Sequence, residues 1–278
     1  MTEGNFLAID IGNTNIVLGV YRGEDLVAYW RMSTSPHRMP DELAVMINSF
    51  FTYRGLSFGD IEDGILSCVV PPLLPVFEEF CQRYMEFEPL VVEPGTKTGM
   101  RILYDNPQEV GADRIVNAVA AKARFGTPLI VIDFGTATTF DAISKAGDYL
   151  GGAISPGVTV ASEALVQRTA KLPRVELVVP PRAIGRNTIN SMQSGIMYGY
   201  VSLVEGMVGR LKAELGGDAH VVATGGLAEY VARYTSAIEA VDQNLTLEGL
   251  RMLYRLNRSQ GPRSLEREGA NTGGERES

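Results

Sequence analysis

Residues 6–21, FLAIDIGNTNIVLGVY, are echoed at 129–143 by LIVIDFGTATTFDAI. Each stretch is an apolar strand, an Asp-x-Gly turn with a threonine within two residues of the glycine, and a second apolar strand. Asp10 and Asp133 lie 123 residues apart. That spacing is the length of a domain, well above the roughly 20–50 residue period of a solenoid. A chain of 278 residues has room for two such domains, each with its own core. The repeat therefore points to a duplicated α/β architecture with one copy of the turn in each half.

The order of elements agrees. Three strand-like runs, NFLAIDIG, NIVLGVYRG and DLVAYWRMS, open the chain and are separated by glycine-containing turns, as a meander requires. A helical pattern follows from Pro40 and Asp41, then strand DGILSCVVPP, helix LLPVFEEFCQRYM and strand PLVVEPG. The second half repeats the opening with PLIVIDFG, TATTFDAIS and YLGGAISPG. Helical patterns come next at GVTVASEALVQRTAKL and TINSMQSGIMYGYVSLVEGMVGRLKAEL, then strand HVVATGG and helix TLEGLRMLYRLN. The expected division is 1–124 and 125–257. Residues 258–278, rich in Gly, Ser, Glu and Arg, are expected to be a disordered tail.

Composition removes whole classes of function. A net charge of −8 and a pI near 5.0 lack the basic footprint of a nucleic-acid binder. Two cysteines without a CxxC support neither a disulfide framework nor a zinc site. His37 and His220 have no metal-ligand neighbours at useful spacing. No signal peptide and no apolar run long enough for a membrane span is visible, so a cytoplasmic location is expected.

The repeated turn suits phosphate. Its glycine lets backbone N–H groups approach a ligand, and the threonine hydroxyl adds a donor. The aspartate is repelled by phosphate but can hold a metal ion that bridges to it. One turn per half, facing across a cleft, would grip a polyphosphate from both sides. A lone Asp-x-Gly is more often an ordinary hairpin residue pair; two framed copies at domain spacing are not. The P-loop pattern and the dinucleotide-binding GxGxxG are both absent. A third piece, VVATGGLAEY at 221–230, runs a strand into Gly225-Gly226, where a base or ribose could lie against backbone.

One acidic residue stands out for chemistry. Gly111-Ala112-Asp113-Arg114 heads an alanine-rich helix. A helix N-terminus and an arginine favour an anion. Asp113 beside them could accept the proton of an alcohol during phosphoryl transfer. Locally, a helix cap with a surface arginine reads equally well.

Together these pieces resemble the type III pantothenate kinases. The matching blocks are DIGNTNIVLG (10–19), YDNPQEVGADR (104–114), DFGTATTFD (133–141), GGAISPG (151–157), LPRVEL (172–177), IGRNTINSMQSG (184–195) and ATGG (223–226), in order and at matching spacing. The resemblance covers roughly residues 5–257. It implies the fold of the acetate and sugar kinase, Hsp70 and actin superfamily: two duplicated actin-like (ribonuclease H-like) α/β domains with a nucleotide cleft between them. It implies transfer of the ATP γ-phosphate to pantothenate, the first step of coenzyme A biosynthesis, in a homodimer that uses Mg2+ and a monovalent cation, K+ or NH4+. Carried over by position, Asp10, Ile11, Gly12, Asn13, Thr14, Asn15, Ile16 and Val17 would bind ATP, with Asp10 near Mg2+. Thr136, Gly225 and Gly226 would also contact ATP, and Asp133 would hold the monovalent cation. Asp113 would be the general base. Tyr104, Gly111, Ala112, Arg114 and Thr188 would contact pantothenate, Arg114 through either the substrate carboxylate or a phosphate.

The segment SPHRMPDE departs from the family pattern at Met39-Pro40, away from this chemistry. Two rivals remain in view: a sugar or acid kinase of the same superfamily, and a nucleotide-binding regulator that lost turnover. The simultaneous presence of Asp10, Asp113 and Asp133 speaks against the regulator.

Overall fold

The computed structural model describes residues 4–258. Three strands open the chain: β1 (Asn5–Ile11), β2 (Asn15–Arg22) and β3 (Asp25–Ser33). Helix α1 (Pro40–Thr52), strand β4 (Ile61–Cys68), helix α2 (Leu74–Met85), the two-residue strand β5 (Leu90–Val91) and helix α3 (Ala112–Phe125) complete the first half. The second half runs through β6 (Leu129–Phe134), β7 (Ala137–Ile143), β8 (Tyr149–Pro156), α4 (Val158–Gln167) and α5 (Thr188–Glu214). It ends with β9 (His220–Gly225), α6 (Ala228–Ala232), β10 (Ala240–Val241) and α7 (Leu245–Arg258).

The two sheets have the same topology. The first is ordered β3-β2-β1-β4-β5 and the second β8-β7-β6-β9-β10. In each, the first three strands are antiparallel and the next two join in parallel. The duplication expected from the two Asp-x-Gly turns is therefore present strand for strand.

Alternation along the central strands explains what each face carries. On β1, Leu7, Ile9 and Ile11 pack against α1 and α2, while Phe6 and Ala8 meet α7. On β6, Ile130 and Ile132 pack against α5 and α6, while Leu129 and Val131 meet α3. Asp10 and Asp133 continue the Phe6–Ala8 and Leu129–Val131 faces. The period of two thus aims both carboxylates toward α3 and α7.

These two helices each touch both sheets. Helix α3, which follows the first sheet, packs Ile115, Ala118 and Ala121 on the second and Val116 on the first; α7, which follows the second sheet, packs Leu247, Leu250 and Leu253 on the first and Leu245 on the second. They cross closely, because a Cβ on Gly249 would lie 2.1 Å from the Val116 carbonyl. The head of α3 brings Asp113 close to Asp10 and Asp133.

Some elements differ from the sequence expectation. Helix α4 stops at Gln167 rather than near Leu172. Strand β10 was not expected; AIEAVD is too short and too mixed to show a period. Helix α7 includes Arg258, whose Nη2 lies 3.1 Å from Asp63 Oδ1; the remainder of the expected tail lies outside the described residues. Both cysteines are free, Cys81 buried and Cys68 half-buried.

Candidate active site

The two repeated turns meet. Each glycine N–H is used inside its own turn, Gly12 to the Asn15 carbonyl and Gly135 to the Ala137 carbonyl, both at 3.0 Å. Thr34 braces the first turn by donating from its Oγ1 to the Gly12 carbonyl at 2.6 Å. Gly157 braces the second, donating to the Thr136 carbonyl at 3.0 Å. The exposed tips then face each other, with Thr14 Oγ1 and Thr136 Oγ1 2.6 Å apart. Asn13 and Asn15 are exposed beside Thr14, whereas Ile11 and Ile16 are wholly buried and serve the core.

Behind the tips lie three carboxylates. Asp10 is pushed up to about 7, first by loss of hydration, then by Asp113 and Asp133. Asp133 is likewise pushed up to about 7 by burial, then by Asp113 and Asp141, against the stabilising Asn117 amide. Asp113 is raised mainly by burial, with the Arg114 backbone N–H and guanidinium opposing. In all three, burial is the largest cause; crowding by other carboxylates adds to it at Asp10 and Asp133. Asp10 Oδ1 is buried and has no hydrogen-bond partner, a costly state that a cation would relieve.

Local geometry holds each carboxylate. Asp113 folds back on the first turn of α3, where its Oδ1 accepts from Arg114 N at 2.8 Å. It can do so because residue 111 is glycine; a Cβ there would sit 2.5 Å from that oxygen. Asp133 Oδ2 accepts from Asn117 Nδ2 at 3.1 Å, and Asn117 Oδ1 accepts from Thr246 Oγ1 at 2.7 Å. Gly225, at φ +92°, leaves room for Asp133, since its Cβ would lie 2.5 Å from Asp133 Oδ1. Gly226 faces open space.

Arg114 is buried, not a surface partner. Its Nε donates to Asp141 Oδ1 at 2.8 Å, and its Nη2 lies 2.7 Å from the same oxygen. Tyr149 OH also donates to Asp141 Oδ1, at 2.6 Å, and the Arg114 guanidinium sits over the Tyr149 ring. Tyr104 is half-buried, with its ring against Gly151. The head of α3 is thus an anion-favouring helix terminus with a base candidate and a fixed arginine.

The carboxylate cluster brings together Asp10, Asp113, Asp133, Thr14, Thr136, Gly111, Ala112, Arg114 and Gly225. Thr188 is the exposed first residue of α5, after the N-cap Asn187, whose Oδ1 accepts from Asn190 N at 2.8 Å. Thr188 lines an apolar groove of about 920 Å³ between α4 and α5, with Val158, Leu165, Met192 and Leu203. Sequence reasoning passed over Asp141, Asn117 and Thr246. Asp141 had a visible signal, a charge in mid-strand within the apolar run TTFDAI, and Asn117 interrupts the apolar face of α3. Thr246 had none.

Among the described residues no helix is long and apolar enough to cross a membrane. The sequence profile of the type III pantothenate kinase family matches residues 6–210. A type III pantothenate kinase of Geobacter sulfurreducens is 56% identical over 252 residues, 91% of this chain and 99% of that protein. One from Myxococcus xanthus is 54% identical over 251 residues, 90% of this chain and 98% of the other. Among solved structures, a conserved putative Baf family transcriptional activator from Campylobacter jejuni superposes with a TM-score of 0.60 at 20% identity. It matches over 91% of this chain and 100% of that one. That likeness speaks for the fold alone.

Proposed function

Because the chain belongs to the type III pantothenate kinase family, we propose that Asp113 is the general base of its reaction. The enzyme is a pantothenate kinase: it moves the γ-phosphoryl group of ATP to pantothenate and yields 4′-phosphopantothenate, the first step of coenzyme A biosynthesis. The pantothenate hydroxyl oxygen bonds to the γ-phosphorus, the bond to the β–γ bridging oxygen breaks, and ADP leaves. The hydroxyl proton passes to Asp113.

The observation that carries this reading is geometric: the Thr14 and Thr136 turns face each other at 2.6 Å, Asp10 keeps a buried, unpartnered oxygen behind them, and Asp113 is held at the head of α3. Burial raises Asp113 above the ordinary carboxylate range, which makes it a better proton acceptor than a solvated aspartate. The stretch Asp10–Val17 and the Thr136 turn would hold the ATP phosphates, with Gly225 and Gly226 under the nucleoside. Arg114, Gly111, Ala112, Tyr104 and Thr188 would bound the acceptor. The halves 1–124 and 125–257 would form the two walls of the cleft.

The residues fit cations. Asp10 offers a buried, unpartnered oxygen, suited to Mg2+, which takes few protein carboxylates and completes its shell with water and phosphate oxygens. Among the described residues no three His, Cys, Asp or Glu side chains form a ready cage, consistent with a metal that arrives with nucleotide. Asp133, with Oδ2 tied to Asn117, would hold K+ or NH4+. Bound cations would neutralise phosphate charge. We also assign the groove carrying Thr188 to self-association as a homodimer, supported by exposed Leu165 in its lining and by exposed Ile189 next to Thr188 on α5. A cytoplasmic enzyme is the matching location.

The test is the cation response. Wild-type turnover should rise when Na+ is exchanged for K+, and Asp133→Ala should abolish that rise while nucleotide still binds. An intact K+ response in Asp133→Ala would move the cation site elsewhere.

A further inference from the structure

The internal duplication supplies a control for one feature of the site. In strand register, Asp141 on β7 lies opposite Val131, two residues before Asp133; Gly19 on β2 lies opposite Ala8, two residues before Asp10. Tyr149 pairs with Ile143 as Leu26 pairs with Tyr21, each two residues further along its strand. Arg114 is the third residue of α3, and Leu247 is the third residue of α7. The trio Asp141, Tyr149 and Arg114 in the second half therefore corresponds to Gly19, Leu26 and Leu247 in the first.

Both trios are in contact. A Cβ on Gly19 would lie 3.0 Å from Leu247 Cδ1 and 3.1 Å from Leu26 Cδ1. So the first half closes this place with two leucines over a glycine. The second half closes it with a buried ion pair: the Arg114 and Asp141 side chains are 8% and 1% exposed. A buried pair is a poor way to gain stability, because the lost hydration offsets the attraction. The fold does not need it, since the same junction is met by apolar contact one half away. The polar trio occurs only beside Asp113.

We propose that Asp141 and Tyr149 are positioning residues for the acceptor: they fix the Arg114 guanidinium at the head of α3 so that it meets pantothenate in one geometry. This rests on the reading above that Arg114 bounds the acceptor. Asp141 Oδ1 takes both Arg114 Nε and the Tyr149 hydroxyl, and Thr139 Oγ1 donates to Asp141 Oδ2 at 3.2 Å. The carboxylate is held from two strands and in turn holds one arginine rotamer. Without it, Arg114 would still be present but free to rotate, and binding of the acceptor would have to supply that order.

The experiment compares steady-state constants for pantothenate and ATP, with melting temperature and direct nucleotide binding, in Tyr149→Phe, Asp141→Asn, Arg114→Ala and the triple Arg114→Leu/Asp141→Gly/Tyr149→Leu. Tyr149→Phe keeps the ring and removes one bond; it should raise the pantothenate KM about 10-fold and leave the ATP KM within about 2-fold. Asp141→Asn should lower kcat/KM for pantothenate about 100-fold with nucleotide binding intact. The triple, built on the first half, should fold, bind nucleotide and lose turnover. Unchanged pantothenate constants in both single variants, or equal losses toward both substrates with a collapsed melting temperature, would overturn positioning. If the triple fails to fold, the apolar equivalence is wrong and Tyr149→Phe alone decides. Normal pantothenate kinetics in Arg114→Ala would overturn the underlying reading itself. A defective Arg114→Ala beside silent Tyr149→Phe and Asp141→Asn would overturn only the positioning.

Discussion

Thr14 Oγ1 and Thr136 Oγ1 are 2.6 Å apart and close the two halves on each other at the tips of the repeated turns. The contact is exposed, so little stability rests on it. The two hydroxyls satisfy each other; under the proposed function each would instead donate to a phosphate oxygen when nucleotide binds. Thr14→Val and Thr136→Val should each raise the ATP KM, by about 10-fold, and leave the fold within about 0.5 kcal/mol of wild type. Calorimetric unfolding beside initial rates checks both halves of that statement; a loss of stability without a change in ATP KM contradicts it.

The carboxylate cluster should make the ligand-free protein less stable at higher pH. Asp10 and Asp133 hold protons to about 7 in the fold, against 3.8 ordinarily. Between roughly pH 4 and 7 the folded chain therefore binds protons that the unfolded chain has released. Stability linked to these groups is present at the acid end of that window, falls as pH rises through it and levels off above. Asp10→Asn removes one buried charge. At pH 8 it should raise the ligand-free melting temperature by about 2–4 °C, the effect of about 1 kcal/mol, while activity is lost. A melting curve as pH-dependent as wild type in Asp10→Asn would place the charge problem elsewhere.

Gly225→Ala should damage the Asp133 site from behind. The position has φ +92°, and the new methyl group would meet Asp133 Oδ1 at 2.5 Å. Backbone strain of this kind costs about 1–3 kcal/mol. The variant should melt several degrees lower and need more K+ for half-maximal turnover. A K+ response matching wild type would mean that Asp133 does not depend on the space Gly225 leaves.

Much of this molecule was legible in its sequence because the duplication is written in short-range patterns. Apolar strands around Asp10 and Asp133 announce both sheets, and Gly111-Ala112-Asp113-Arg114 announces a helix head. What stayed hidden is long-range. Nothing in the strings around α3 and α7 says that the two helices cross in contact and each reach the other half's sheet, a crossing for which Gly249 leaves room beside the Val116 carbonyl. Arg114 reads equally well as solvated or substrate-facing until Asp141, 27 residues away, is seen beneath it. Thr246 reaches the site through Asn117 across 129 residues, a distance at which no local period operates. Thr188 matches a family block; that it lines the α4–α5 groove is a matter of packing that a linear motif cannot show.

The central claim is that Asp113 takes a proton from pantothenate as phosphate arrives from ATP. It is tested most directly by ADP release from Mg–ATP, with and without pantothenate, in wild type and in Asp113→Asn. Release should require pantothenate in the wild type and fall about 100- to 10,000-fold in Asp113→Asn, with nucleotide binding unchanged. Undiminished pantothenate-dependent release from a folded Asp113→Asn protein would contradict the account and remove Asp113 from the role of base.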